Sequence, residues 1–148
     1  MMLKHQAIID AFKVKLQLIL VASGYHTDAG LNVFCWRNTA LQPEELPGIV
    51  FRDGVDSADE EFATTTGDQL YYKLPVKIDL ICNDADTARQ MIADCQKAIN
   101  TDRTLGGLAH DIEYVGFGLI SEDQDEKKII GASGKIDIIY FTQKFKEE

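Results

Sequence analysis

From Leu70 to Cys82 the chain alternates: Leu70, Tyr72, Leu74, Val76, Ile78, Leu80 and Cys82 fall on one side, Lys73, Lys77 and Asp79 on the other. A period of two over that length means a long strand with one face on a core and the other in water. The apolar face needs a cover, and two helical stripes elsewhere in the chain provide it. Residues 3–22 repeat Leu3, Ala7, Ile8, Ala11, Phe12, Leu16 and Ile19 at three-and-four spacing, with Gly24 placed to close the helix. Leu18, Leu20 and Val21 widen that stripe at its end, which is therefore either deeply buried or a surface for a partner. A second helix starts from a cap at Asn83 or Asp84 and runs to about Asn100, with Ala88, Met91, Ile92, Cys95, Ala98 and Ile99 on one face. Pro75 lies on the wet side of the long strand and lacks a ladder donor, so an edge position or a bulge is expected there.

Shorter apolar runs at 31–37 and 48–52 read as strands. So do about 111–121 and 129–144, which form a hairpin around the charged turn 122–128. The expected order is α-β-β-β-α-β-β: one α+β domain over 1–148, a mainly antiparallel sheet with two helices packed on one face. Residues 53–68 carry Asp53, Asp56, Asp59, Glu60 and Glu61 with no basic residue, and fit neither periodicity. A mobile acidic loop is the expectation.

With 15 basic and 24 acidic residues in 148, the net charge is −9. A chain that acidic lacks the surplus Lys and Arg that hold nucleic acid by counterion release. The 45% hydrophobic and 26% charged fractions exclude the disordered and low-complexity classes. Cys35, Cys82 and Cys95 are three, widely spaced and without a CxxC pair, so they predict reduced thiols in apolar surroundings, with no disulfide or metal framework. No signal-peptide pattern opens the chain, and Leu16–Ala22 is far shorter than the ~20 residues of a membrane span. A soluble intracellular protein without membrane attachment is expected.

Catalytic templates fail one by one. Gly116-Phe117-Gly118-Leu119-Ile120-Ser121 ends in serine where a dinucleotide loop has glycine, and Gly131-Ala132-Ser133-Gly134-Lys135 opens a strand where a phosphate loop opens a helix. His5, His26 and His110 are scattered and have no neighbouring base pattern. The acids at 53–61 and 122–126 do not match the EF-hand spacing. Trp36 and Tyr71-Tyr72 lack the basic groove of a stacking platform, so core packing or a protein interface is expected. No catalytic, cofactor-binding or metal residue emerges.

Three features together resemble the tail terminator proteins of long-tailed bacteriophages, the minor-tail-protein-U-like family. The first is the amphipathic N-terminal helix ending at Ala22-Ser23-Gly24-Tyr25 ahead of a short strand. Second comes the Leu46-Pro47-Gly48-Ile49-Val50 lead-in to the next strand, followed by an acidic loop and a long alternating strand. Third is the second helix running into Asp102-Arg103-Thr104-Leu105-Gly106-Gly107-Leu108-Ala109, then a hairpin whose last strand ends in Ile139-Tyr140-Phe141-Thr142. In that third segment Leu105 and Leu108 are expected under the sheet, with Gly106-Gly107 supplying unusual backbone angles.

The resemblance implies a non-enzymatic protein without cofactor. It would assemble on itself as a ring, a hexamer, at the head-proximal end of the tail tube, stop tube polymerisation and support head–tail joining. Its partners would be the tail tube protein and a head-completion or neck protein, with DNA only as passing cargo. It would reside in the host cytoplasm during assembly and then in the virion tail. If 53–68 or 122–128 faced the channel, like charges would let DNA slide. Candidate interaction residues are Asp56, Asp59, Glu60 and Glu61 in the acidic loop, Lys73 and Lys77 on the wet strand face, and Leu20 and Val21 at the first helix end. The competing readings are a phage neck or head-completion protein, and a small ligand-binding or enzymatic α+β domain. The latter would use Trp36, Tyr72, His26 or His110 in a pocket between helix and sheet.

Overall fold

The alternating stretch becomes the central strand of the sheet in the computed structural model, which describes residues 4–59, 69–124 and 127–143. Eight elements follow in chain order: α1 (Lys4–Gln17), β1 (Val33–Cys35), β2 (Gly48–Asp53), β3 (Ser57–Asp59), β4 (Gln69–Cys82), α2 (Ala85–Thr101), β5 (Asp111–Gln124) and β6 (Lys127–Gln143). Across the sheet the order is β1-β2-β4-β6-β5, with the short β3 also on β4. Among the described residues β1 and β2 pair in parallel and the other pairings are antiparallel. The chain is an α+β fold, with one short strand more than the pattern α-β-β-β-α-β-β.

Leu74, Val76, Ile78, Leu80 and Cys82 are buried as the alternation requires. They form one contiguous core with Ile8, Phe12 and Leu16 of α1 and with Ala88, Met91, Cys95, Ala98 and Ile99 of α2. Both helices therefore cover the same side of the sheet. Phe12 meets Phe51 of β2 edge to face at 5.4 Å, an arrangement that suits the aromatic quadrupoles. Asp84 is the cap of α2, its carboxylate accepting the Thr87 N–H.

Several elements differ from expectation; the strand expected over 31–37 is only Val33–Cys35, because Ala29–Leu31 is a 3-10 turn. α1 stops at Gln17, short of residue 22, because the segment after it is held elsewhere. The Gly30 N–H donates to the Ile19 carbonyl at 2.8 Å, and the Val21 N–H donates to the Asp28 carboxylate. Gly24, at φ 95°, closes a 3-10 turn over Val21–Ser23 instead of the helix itself.

Of the two expectations for Pro75, an edge or a bulge, the second holds: the residue is not on an edge strand but faces an irregularity in the ladder. β4 is flanked by β6 along its whole length and by β2 and β3 on the other side. Between Asp53↔Val76 and Ser57↔Lys73, Gly54, Val55 and Asp56 lie opposite only Leu74 and Pro75. The Pro75 carbonyl accepts the Gly54 N–H at 2.7 Å, so its missing donor faces this irregular break, where no regular ladder bond is lost.

Of the expected acidic loop 53–68, the described residues are partly strand. Asp53 closes β2, and Ser57–Asp59 pairs with Tyr71–Lys73, while residues 60–68 lie outside the described residues. Likewise 122–128 is largely ladder, since β5 and β6 pair out to Gln124↔Lys127. That carries the hairpin past Cys82↔Ile130, where β4 ends.

Turn 102–109 follows its sequence. Leu105 is buried in the core and Leu108 packs against it, while Leu105, Gly106 and Gly107 have φ of 51°, 71° and 95°.

Candidate functional site

Because the helices lie on one side, the opposite face of the sheet has no helical cover among the described residues. Its β4 residues are Lys73, Pro75, Lys77, Asp79 and Ile81. Register places Arg52 of β2 beside Lys77 and Lys77 beside Lys135 of β6, so three cations sit in direct cross-strand line. The loop 37–41 folds over one side of this face, with Leu41 buried, and leaves a cavity of about 290 Å³ that Arg37, Arg52, Lys77, Asp79 and Ser133 help to line.

The cations have different duties. Arg37 is spent on Glu45, 2.8 Å from its Oε1, and that ion pair holds the Glu45 carboxyl below the usual range. Arg52 donates to the Arg37 carbonyl at 3.0 Å and lies 5.7 Å from the centre of the Trp36 ring, so its head is fixed over the loop. Asp79 accepts the Ser133 hydroxyl at 2.9 Å. Lys77 is exposed and has no ion pair or hydrogen bond among the described residues.

The outer edges of the sheet differ. β1 is three residues long and half covered, whereas β5 is a 14-residue edge with nothing on its outer side among the described residues. Val115 is 56% exposed and Leu119 44%, with Tyr114 and Ile120 also exposed. A second apolar area lies at the end of α1. Val14 and Leu18 follow at helical spacing, and Leu31 is brought near by the Gly30–Ile19 hydrogen bond; these side chains and Val21 are all more than half exposed.

At the opposite end of α1, His5 Nε2 lies 2.8 Å from an Asp53 oxygen, and its Nδ1 lies 3.5 Å from Asp56. The Trp36 indole donates to the other Asp53 oxygen at 2.7 Å, and the Tyr140 hydroxyl donates to Asp56. Burial pushes the Asp53 carboxyl up, but the Trp36 and His5 hydrogen bonds outweigh it and hold the group below its ordinary value. The cluster joins α1, β2, the β2–β3 link and β6. It acts as a clasp between them.

The anticipated interaction residues scatter. Asp56 is half-buried in that clasp and is not a free loop charge. Asp59 is in β3, and Glu60 and Glu61 lie outside the described residues. Lys73 reaches Glu113 at 3.5 Å, while Lys77 stands open. Val21 is exposed and Leu20 half-buried. The pocket imagined between helix and sheet does not assemble from its four residues. His26 uses its backbone N–H on Asp94, the His110 ring packs on Tyr71, Tyr72 stacks on Tyr140, and Trp36 is exposed beside Asp53.

Sequence reading missed Asp94, 1% exposed within the apolar face of α2. It accepts the His26 and Thr27 N–H groups and the Thr27 hydroxyl, which satisfies its buried carboxylate and pins the segment after α1. An acid on an otherwise apolar stripe was the available signal.

Among the described residues no group of three or more His, Cys, Asp or Glu is arranged to hold a metal ion, and no helix is long and apolar enough to cross a membrane. Compared with known protein families and with curated proteins, the sequence matches none.

Proposed function

We propose that this chain is a structural assembly subunit of the phage tail terminator kind, working through its outer surfaces and not as an enzyme. The observation that carries this reading is β5: a long edge strand with exposed Tyr114, Val115, Leu119 and Ile120. Unpaired backbone groups beside apolar side chains are a liability in a free monomer and an asset in a subunit that pairs with its neighbour. The apolar end of α1 lies on the β1 side of the sheet, so the two surfaces differ and sit at opposite edges. A contact between unlike surfaces is heterologous, and it closes into a ring when the rotation allows. In this reading a hexameric ring caps the head-proximal end of the tail tube, stops its growth, meets a head-completion or neck protein, and lets DNA pass without gripping it.

Sedimentation over a range of concentrations, with and without purified tail tubes, tests this. Ring-sized species, or protein bound at tube ends and tubes of fixed length, are the expected result. A strictly monomeric chain that ignores tube ends would remove the reading.

A further inference from the structure

Like charges directly opposite one another on a sheet repel, and a bound anion relieves that repulsion. Arg52, Lys77 and Lys135 form such a row on the face without helices. Arg52 is held in place by the Arg37 carbonyl and Trp36. Lys135 lies 4.0 Å from Asp137, the limit of an ion pair, and Asp79, which accepts the Ser133 hydroxyl, adds a second carboxylate beside the row. Lys77, the middle cation, has no partner among the described residues and borders the 290 Å³ cavity, whose wall is the 37–41 loop.

We propose that this row is a docking site for an acidic segment of a second copy of the chain. Charge complementarity selects the occupant. The net charge is −9, and beyond the clasped Asp53 and Asp56 acids are concentrated at 59–61 and 122–126, so another copy brings carboxylates in excess of the Asp79 and Asp137 already beside this row. The cationic row and an acidic segment are different surfaces, which again makes the contact head-to-tail. This inference rests on self-assembly and adds its electrostatic half.

The test compares wild type with the exposed-site double variant Lys77→Glu/Lys135→Glu, its fold checked by circular dichroism, in sedimentation at about 50 mM and about 500 mM salt. Wild-type association should weaken with salt, and the variant should associate about tenfold more weakly at low salt. The variant keeps its own acidic segments, so mixed with wild type it should still join on and cap growing species. Lys77→Gln/Lys135→Gln should lie between the two. Wild-type-like assembly by the charge-reversed variant overturns this inference while leaving the ring reading intact. The same holds if the row instead proves to bind a short DNA duplex, binding that the reversal abolishes while self-association stays unchanged. A chain monomeric at every salt concentration overturns both.

Discussion

The Thr27 hydroxyl donates to the Asp94 carboxylate at 2.7 Å, across 67 residues of chain, in a place where neither side chain meets water. This contact fixes the segment after α1 against α2. Asp94→Ala strands two backbone donors and one hydroxyl, and the expected loss is about 3 kcal/mol in urea unfolding. Thr27→Val, which leaves Asp94 its two backbone donors, should lose less, about 1 kcal/mol.

Asp53, Glu45 and Asp102 all titrate below their ordinary range. For Asp53 burial opposes this, and the Trp36 and His5 hydrogen bonds prevail; Glu45 is held by Arg37, and Asp102 by the Thr104 hydroxyl and the Gly106 N–H. A depressed folded-state value means stability that is present above the unfolded carboxylate range and lost as pH falls through the folded values. Urea midpoints should therefore hold between about pH 7 and 5 and drop below about pH 4. Asp53→Asn should lower the pH 7 midpoint and flatten the acid slope.

Gly107 has φ 95° with open space around the position of a Cβ, so its requirement is purely conformational. Gly107→Ala should destabilise by about 1 kcal/mol. Gly118 in β5 has the same open space without a positive φ, and Gly118→Ala should fall within about 0.5 kcal/mol of wild type. Thermal melts of the two variants side by side isolate the backbone strain, since neither position is crowded.

Burial pushes the Cys95 thiol up to about 12, and Cys82 and Cys35 are raised for the same first reason. Only Cys35 is half-buried; the other two are buried. A disulfide-exchange reagent near neutral pH should label Cys35 in the native protein, more slowly than a free thiol. It should reach Cys82 and Cys95 only on unfolding.

Val115→Lys with Leu119→Lys places two charges on the β5 edge, where both side chains are already exposed. The melting temperature should change little, while self-association falls in sedimentation. Unaltered association would move the interface away from β5.

Much of the fold was legible because its signals are local. The alternation at Leu70–Cys82 became β4, Asp84 capped α2, and Leu105-Gly106-Gly107 made the turn its residues imply. What stayed hidden depends on distant partners. The apolar run through Val21 continues a helical pattern, yet Gly30 and Asp28 draw that segment away after Gln17. Pro75 signals an edge or a bulge by its own chemistry, and only the β2–β3 break decides for the second. The site was less legible than the fold. Lys77 could be named as a wet residue, but no local pattern reveals that Arg52 and Lys135 fall into line with it. Nor does one reveal that Asp56 is withdrawn into a clasp with His5 and Tyr140.

Placing both helices on one side divides the labour of β4 between odd and even positions. Leu74, Val76 and Ile78 answer to the core, whereas Lys73 and Lys77 answer to whatever meets the bare wall. Substitutions at the odd positions can thus remake the outer surface while foldedness is preserved, so this face is free to diverge long before the shape does.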